Sequence, residues 1–352
     1  MQLLSSAEQV AARLRAELLA GNLSGIMPGV LKLEAGLAVN RNTVEAALRI
    51  LESEGLLRPG GKGRRRTIDV PSGHAPQRMQ IAIFGYEPQL ETMGYMIGLQ
   101  HLLSKAGNVA FFTEKTLTEL RMDLSRIRRL VIQTKADAWI IPGGSHEVLE
   151  WFAAQEKPAF ALFGRRRGLP IAGVGPDKPP AIAAATRALI QLGHRRVVLL
   201  ARAARRLPEP GESERTFLNE LAAHGILPGP YHLPDWEESI RGFQERLNSL
   251  FRLTPPTALI IQEAVFYIAA LQFCANRGLR VPQDVSLICT DADPTFAWCQ
   301  PSVAHIRWDS RPVVRRIVRW AANVSCGQED LRQTLTPAEF VPGGTIGPAA
   351  NH

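Results

Sequence analysis

Apolar residues in the first 70 positions recur at helical spacing in three segments. The first begins at Ser6-Ala7-Glu8-Gln9, which has the Ser-x-x-Gln form of a capping box, and ends before Gly21. The second spans about Lys32 to Ala38. In the third, apolar side chains follow i, i+3, i+4, i+7 spacing at Val44, Ala47, Leu48 and Leu51. With the basic hairpin over residues 56–68, the pattern predicts a helix, a helix-turn-helix and a wing.

Side chains that face away from this third apolar stripe, together with the hairpin, form a candidate surface for a polyanion. The free backbone N–H groups at the start of the third helix also favour anions. Cations in the hairpin attract phosphate independently of sequence or enter a narrow minor groove. Arg41 suits either a guanine edge or a phosphate, and the sequence leaves both open. The predicted DNA-contacting residues are Asn40, Arg41, Asn42, Thr43, Glu45, Lys62, Arg64, Arg65 and Arg66.

From Met79 onward, short apolar runs alternate with helix-patterned segments, which predicts parallel β/α units. The predicted strands are 80–85, 109–113, 138–142, 159–164, 171–174, 197–201, 258–262 and 285–290. So many strands indicate two lobes rather than one sheet. We therefore expect an α/β protein with a winged helix-turn-helix domain over residues 1–70, a linker over 71–78, and a two-lobed, doubly wound domain over 79–352.

Polar and aromatic side chains near the ends of these strands are candidates for a ligand site, because ligands of such folds bind in the crevice at the carboxyl ends of the strands. The candidates are Tyr86, Glu87, Gly143, Ser145, Gln262, Glu263, Asp291 and Asp293, with Arg215 and Trp298 nearby in sequence. Asp291 stands out because it follows the apolar run 285–289. Capping a helix or a turn is an equally common fate for such side chains. For the basic run Arg165-Arg166-Arg167, a solvent-facing loop is favoured over contact with an anionic ligand.

Charge is distributed unevenly along the chain. The net charge is +8, and residues 1–78 carry half of it, with 11 Lys and Arg against 7 Asp and Glu. This asymmetry favours a nucleic-acid partner, although a membrane or a solubility role fits charge alone. An apolar content of 45% is ample for the cores of two or three domains.

Several absent signals narrow the compartment and the chemistry. The four cysteines lack C-x-x-C spacing, which indicates reduced thiols without a disulfide or metal framework. No secretory signal is apparent, and Gln262 and Glu263 interrupt the most apolar window, so we expect a cytoplasmic protein with no membrane partner. The common hydrolase and phosphate-loop motifs do not occur, so no catalytic residue, cofactor or metal is predicted. His194 is expected to hydrogen-bond to backbone rather than to catalyse.

Two sets of motifs resemble known families. The first is Met27-Pro28, Leu33, Leu37, Val39-Asn40-Arg41, Thr43-Val44, Ala47-Leu48 and Leu51-Glu52-x-Glu54-Gly55-Leu56. Through it, residues from about 7 to 68 resemble the winged-helix domain of GntR-type bacterial regulators. The second is Pro176-Asp177, Leu192-Gly193-His194-Arg195-Arg196-Val197 and Gly278-Leu279-Arg280-Val281-Pro282-Gln283-Asp284-Val285-Ser286. Through it, residues from about 79 to 347 resemble the LacI-type effector domain, which is related to type I periplasmic sugar-binding proteins.

The chain also departs from both patterns. Gly29-Val30-Leu31 stands where GntR-type domains usually have Ser-Glu-Arg, so a polar and a basic group that commonly touch DNA are missing. Glu45 stands where Arg is frequent; a carboxylate repels phosphate but can accept from cytosine N4, so the operator should differ from the usual one. In the second domain, Gln262-Glu263 replaces the usual Asn-Asp, and residues 289–293 replace Gly-Phe-Asp-Asp. The ligand therefore does not follow from sugar-binding relatives.

The resemblance implies a ligand-responsive, sequence-specific DNA-binding transcriptional regulator that acts as a repressor. Its implied partners are double-stranded operator DNA, a small-molecule effector and a second copy in a homodimer. Sugars head the effector classes by analogy only. Two alternatives stay open: a carbohydrate-binding receptor with a nonfunctional helical head, and an enzyme that uses the α/β crevice.

Overall fold

The first part of the chain is a small three-helix domain with a hairpin. The computed structural model describes residues 5–19, 23, 25–54, 56–60, 65–68 and 77–350. The first elements are α1 (Ser6–Leu19), α2 (Val30–Leu37), α3 (Arg41–Ser53), β1 (Leu57–Arg58) and β2 (Thr67–Ile68). The predicted order of helix, helix-turn-helix and wing is confirmed.

A capping box fixes the start of α1, one residue earlier than predicted. The backbone N–H and hydroxyl of Ser5 donate to Glu8 Oε2 over 2.7 and 2.9 Å, and Ser5 Oγ accepts from the Glu8 N–H over 3.3 Å. These hydrogen bonds lower the pKa of the Glu8 carboxyl. The predicted box at Ser6–Gln9 is wrong because Ser5, not Ser6, precedes the first helical residue.

The small domain has one core and one three-segment sheet. Leu14 of α1 and Leu48 and Leu51 of α3 are buried in its apolar cluster. Arg15 Nε donates to Glu54 Oε2 over 2.7 Å, which ties α1 to the end of α3. Strand β2 pairs with β1 on one side and, through an isolated bridge, with Ile26 on the other. The wing base is therefore anchored to the segment that leads into α2.

Residues 77–350 form an α/β domain. Its strands are β3 (Gln80–Ile83), β4 (Val109–Phe112), β5 (Ala138–Pro142), β6 (Ala159–Leu162), β7 (Ala172–Asp177), β8 (Val197–Leu200), β9 (Ala258–Ile261), β10 (Ser286–Cys289), β11 (Ala304–Trp308) and β12 (Gln333–Val341). Its helices are α4 (Gly94–Lys105), α5 (Leu124–Gln133), α6 (His146–Ala153), α7 (Lys178–Gln191), α8 (Ala203–Arg206), α9 (Glu212–Ala223), α10 (Ile240–Leu253), α11 (Ala264–Asn276) and α12 (Ser310–Ser325). Short 3₁₀ helices span Pro88–Thr92 and Pro294–Trp298.

The sheet order β4-β3-β5-β6-β7-β12-β11-β10-β9-β8 divides this domain into two lobes. The first lobe contains β3–β7 with α4–α6 and α12, and the second contains β8–β11 with α7–α11. Strand β12 joins them, since residues 333–337 run parallel to β7 and residues 338–341 run antiparallel to β11. Each lobe has buried apolar clusters that cover its sheet. The predicted two-lobed α/β fold is confirmed.

The lobe boundary is crossed at three places. These are the β7–α7 junction after Asp177, the β11–α12 junction after Trp308, and Pro337 inside β12. The predicted linker lies almost wholly outside the described residues, so the domain boundaries stay predictions. No helix among the described residues is long and apolar enough to span a membrane.

His194 links segments of the second lobe through buried hydrogen bonds. Its side chain is buried, with Nδ1 2.9 Å from Thr257 Oγ1 and Nε2 2.9 Å from the carbonyl oxygen of Gly347. The imidazole thus connects the loop before β8 with the end of the described chain. The predicted hydrogen bond to backbone is present.

Candidate nucleic-acid interface and ligand crevice

The start of α3 is shaped by the turn before it. Ala38 ends α2 in the left-handed region, with φ +54°, and Asn40 occupies the N-cap of α3. Asn40 Oδ1 accepts from both the backbone N–H and the hydroxyl of Thr43, each over 2.9 Å. This cap leaves Arg41 and Asn42 exposed at the helix start. Asn40 and Thr43 therefore shape the predicted DNA-contacting turn as well as belonging to it.

Glu45 pairs with arginines on its own helix. Arg41 Nε lies 3.2 Å from Glu45 Oε1, and Arg49 Nη2 lies 3.9 Å from Glu45 Oε2. The two arginine side chains are 68% and 73% exposed, so the pairs hold the guanidinium groups on the surface rather than bury them. Such exposed i,i+4 pairs add little stability, and their effect here is on orientation.

The four predicted wing cations separate into three groups. Lys62 and Arg64 lie outside the described residues. Arg65 is exposed, whereas the half-buried Arg66 donates to Glu52 Oε1 at the end of α3. The carbonyl oxygen of Arg66 also accepts from the Met27 N–H over 2.9 Å. Arg66 therefore holds the wing against α3, whereas Arg65 faces solvent.

A concavity of about 560 Å³ lies between the starts of α2 and α3 and the wing base. Of the residues that the structure describes, Lys32, Arg41 and Arg65 are the cations in its lining, and the other lining residues are apolar or glycine. A surface that combines three cations with a helix N-terminus suits an anionic partner.

In the larger domain, one arginine binds residues of both lobes. Arg202 follows β8 in the second lobe, and its Nη2 donates to both carboxylate oxygens of Glu87, after β3 in the first lobe, over 2.8 and 2.9 Å. Within the second lobe it donates to Glu263 over 2.6 and 2.7 Å, and its Nη1 lies 3.4 Å from Glu238 Oε2. Tyr86 Oη donates to Glu238 over 3.3 Å, a second contact between lobes. We call these residues, Tyr86, Glu87, Arg202, Glu238 and Glu263, the latch.

The latch is enclosed and rich in carboxylates. The Arg202 side chain is 6% exposed, and its guanidinium carbon lies 4.8 Å from the ring centres of Tyr86 and Phe266. Burial opposes the charge of Arg202, but the surrounding carboxylates outweigh it and raise its pKa. Burial also raises the pKa of Glu263, against the opposing effect of Arg202. One buried cation is thus shared among three carboxylates that converge from both lobes.

A second group surrounds Asp291. Its Oδ1 accepts from Lys178 Nζ over 2.6 Å and lies 3.4 Å from Trp308 Nε1. The Trp308 ring packs edge-on against Tyr95 and Phe163, with centroid distances of 5.9 and 5.4 Å. Lys178 and Trp308 are at two of the three crossings between lobes. An aromatic wall beside a paired carboxylate is therefore built where the lobes meet.

Two residues of this region have backbones in the left-handed region. Phe163 has φ +62° and Glu263 has φ +65°, and each comes within two residues after the end of a parallel strand. Non-glycine residues pay a conformational penalty there, and such strain concentrates at ligand clamps and active sites. The strain supports a functional role for this end of the sheet.

The other predicted ligand residues have different positions. Gln262 Oε1 accepts from the Arg202 N–H over 2.8 Å and so adjoins the latch. Ser145 caps α6 through a 3.3 Å hydrogen bond from the Val148 N–H, and Asp293 caps the 3₁₀ helix that follows it. Arg215 is exposed and donates to the carbonyl oxygen of Pro210 over 2.7 Å, and Trp298 is 90% exposed. The structure therefore brings together Tyr86, Gln262, Glu263 and Asp291, and gives Ser145 and Asp293 the capping role that the sequence left open.

The run of three arginines is only partly solvent-facing. Arg165 donates to the carbonyl oxygens of Leu207 and Glu209, and Arg167 pairs with Glu212, all in the second lobe. Arg166 is buried, and its Nη1 donates to the carbonyl oxygen of Phe163 over 3.1 Å. Burial lowers the pKa of Arg166 to about 10. The solvent-facing interpretation agrees with Arg167, whose side chain is 80% exposed, and is wrong for Arg165 and Arg166, whose distant acceptors no local pattern reveals.

Several residues of the crevice are absent from the ligand-binding residues predicted from sequence. Lys178 and Arg202 closely follow the ends of β7 and β8, and Trp308 is the last residue of β11, so the rule that found Tyr86 and Glu87 applies to them as well. Glu238 precedes α10 and carries no comparable signal. Among the described residues, no group of three or more His, Cys, Asp or Glu side chains could hold a metal ion.

Comparison with known proteins agrees with this geometry. Residues 6–63 match the family of bacterial regulatory proteins called gntR, and residues 186–346 match the periplasmic binding protein-like domain. The chain is 30% identical over 173 residues to an uncharacterized HTH-type transcriptional regulator of Streptomyces limosus, covering 48% of this chain and 47% of that protein. It is 27% identical over 157 residues to the lactose operon repressor of Escherichia coli, covering 44% and 42%. The matches therefore span less than half of either relative.

A solved structure extends the likeness in fold. The lac repressor dimer bound to operator and the anti-inducer ONPF superposes with a TM-score of 0.60 at 18% identity, covering 77% of this chain and 95% of that one. Identity at this level establishes a shared fold alone. Residues 6–63 thus form a winged helix-turn-helix segment that matches the gntR family, and it is joined to a two-lobed domain that matches the periplasmic binding protein-like domain and shares its fold with the lac repressor.

Proposed function

We propose that this protein is a ligand-responsive, sequence-specific DNA-binding transcriptional regulator that acts as a repressor in the cytoplasm. The observation that carries the proposal is the capped start of α3, which presents Arg41 and Asn42 on a winged helix that is joined to a two-lobed crevice domain. Both relatives named above are transcriptional regulators, one of them a repressor.

The α3 start is the proposed base-reading element and the wing is the proposed phosphate-binding element. Asn40, Arg41, Asn42, Thr43 and Glu45 would enter or border the major groove. Lys62, Arg64, Arg65 and Arg66 would supply the charge that makes binding dependent on salt. Because Arg66 also pairs with Glu52, its substitution should disturb the wing as well as remove a cation.

The crevice at the strand ends is the proposed effector site. Its aromatic wall and its carboxylates suit a small polar ring, because a ring can pack on Tyr95 or Trp308 while its hydroxyl groups donate to Glu263 or Asp291. Sugars are therefore the first class to test. An effector that reaches these carboxylates must compete with Arg202 and Lys178, and we infer that it changes the relation of the lobes by doing so.

A homodimer is the proposed working form. Helix α11 is apolar nearly all round, and Val265 and Ile268 on it are 59% and 49% exposed. Exposed apolar side chains on one helix suit a protein interface, and a dimer would place two winged helices on an inverted repeat. Sedimentation of the wild type and of Ile268→Asp tests this, since the variant should be a monomer.

Selection from random double-stranded DNA with the full-length protein tests the function. We expect an enriched inverted repeat whose affinity falls steeply with salt, and a metabolite that changes this affinity. A screen of sugars by thermal shift, followed by titration of the bound operator, identifies that metabolite. Recovery of no enriched sequence would refute the regulator and favour a carbohydrate receptor if a sugar still binds. Turnover of a bound metabolite would favour the enzyme.

A further inference from the structure

An exposed leucine stands on the proposed DNA-reading surface. Leu31, the second residue of α2, is 76% exposed, and neighbouring Ile26 is 63% exposed. Both line the concavity that Lys32, Arg41 and Arg65 also line. Exposing so large an apolar side chain to water is less favourable in free energy than exposing a polar side chain. Its position therefore points to an apolar group on whatever partner the cations attract.

The charge of the lining identifies that partner as a polyanion. Among the described residues, the lining of the concavity has three cations and no acidic side chain. The concavity opens beside the first turn of α3, where backbone N–H groups lack helical partners. If the proposed function holds, the partner is operator DNA, and the first turn of α3 is at the major groove. The question is which part of the groove an apolar side chain can contact.

We propose that Leu31 reads thymine through the C5-methyl group. Of the groups that base pairs present in the major groove, the others are hydrogen-bond donors or acceptors, and the thymine methyl is the apolar one. Leucine cannot donate or accept a hydrogen bond, so it discriminates by contact with that methyl. In place of the arginine that this family usually has there, Leu31 makes each half-site of the operator require a thymine at one position. This inference rests on the proposed function.

The test uses the operator that selection with the full-length protein recovers. Each thymine of one half-site is replaced in turn by deoxyuridine, which removes only the methyl group, and the Kd is measured at fixed salt. We expect one position at which deoxyuridine weakens wild-type binding about fourfold, the affinity equivalent of one buried methyl group. Leu31→Ala should weaken binding to the thymine operator and bind the thymine and deoxyuridine operators equally at that position.

Two controls make the result decisive. Leu227→Ala removes a leucine that is 90% exposed in the larger domain and should keep the full discrimination. Leu31→Met keeps an apolar side chain of similar volume and should also keep it, and unchanged melting temperatures show that the variants fold. Equal wild-type binding to every deoxyuridine operator, or discrimination that survives Leu31→Ala, overturns the inference while operator binding itself stands. Failure to select any operator refutes the proposed function instead.

Discussion

Arg41 is the residue whose contact most directly decides what the α3 start does. Its guanidinium is exposed and is held by Glu45 at 3.2 Å, so little reorganisation separates the free side chain from one bound to DNA. We expect Arg41→Ala to weaken operator binding by about 1–3 kcal/mol if the side chain contacts a base. A phosphate contact would instead weaken binding uniformly across sequences and lower the salt slope by about 1.

Fluorescence anisotropy on the selected operator and on a scrambled duplex, at several salt concentrations, separates these two contacts. Arg13→Ala is the matched control, because Arg13 is an exposed cation on α1 and does not line the concavity. Operator affinity that is unchanged by Arg41→Ala but abolished by substitution of the wing cations would contradict the role proposed for α3.

His194 links stability to pH. Burial lowers the pKa of the imidazole below its ordinary value of about 6.5, against the hydrogen bond to the Gly347 carbonyl. The unfolded chain therefore takes up a proton at a pH where the folded chain does not. The neutral, buried imidazole makes its full contribution to the free energy of unfolding above about pH 6.5. This contribution decreases as the pH falls below that value, by no more than about 1.4 kcal/mol for each pH unit.

Urea unfolding of the second-lobe transition at pH 7.5 and pH 5.5 measures this effect. The wild type should lose more stability between the two pH values than His194→Asn, whose amide keeps a donor and an acceptor but does not titrate. An equal loss in both proteins would show that His194 does not take up the proton.

The cap of α3 has two possible functions, in helix stability and in DNA contact, and one pair of variants separates them. Asn40→Ala removes the acceptor for the Thr43 N–H and should destabilise the winged helix by about 1 kcal/mol. Asn40→Ser restores a capping oxygen but lacks the amide group. We expect Ser to recover the melting temperature of the small domain, and operator affinity to recover with it only if Asn40 acts through the cap.

The measurements are the melting temperature and the operator Kd of both variants. Normal stability with lost affinity in Asn40→Ser would assign the Asn40 amide to a base or phosphate contact. Low stability in both variants would show that the cap geometry demands asparagine.

Strands with a continuous apolar run could be predicted from sequence, and strands without one could not. All eight predicted strands are present because each has such a run, as at Ala258–Ile261, which is fully buried. Strands β11 and β12 were missed because both alternate in burial, and β12 is also mostly half-exposed and contains Pro337. That proline is tolerated because pairing changes there from β7 to β11. The same limit applies to the site, since Glu87 and Arg202 follow strands that are far apart in the sheet order and meet only where the two lobes contact each other.

The latch connects the two lobes of the larger domain. Glu87 is its carboxylate from the first lobe, whereas Glu238 and Glu263 belong to the second lobe with Arg202. Removing the charge of Glu87 should therefore loosen the lobes and leave Arg202 paired. A hydrogen bond to a charged group contributes about 2 kcal/mol, which is close to a 30-fold change in the balance between linked and separated lobes.

Glu87→Gln tests this balance. The variant should show a larger radius of gyration in small-angle scattering and faster hydrogen exchange in the loops after β3 and β8 than the wild type. It should also change effector affinity, because the equilibrium between the lobe arrangements sets part of the binding free energy. Glu220→Gln is the matched control, since it removes an ion pair with Arg187 that lies within the second lobe, at 2.9 Å.

The direction of the effector response then follows from the same variant. If the linked lobes favour the operator-binding form, Glu87→Gln should weaken operator binding in the absence of effector, and the effector is an inducer that displaces the latch. If operator binding strengthens instead, the separated lobes favour DNA and the effector acts as a co-repressor. Unchanged scattering, exchange and operator affinity in Glu87→Gln would show that Arg202 does not control the relation of the lobes, and coupling would have to run through Arg165 and Arg167, which also bind the second lobe.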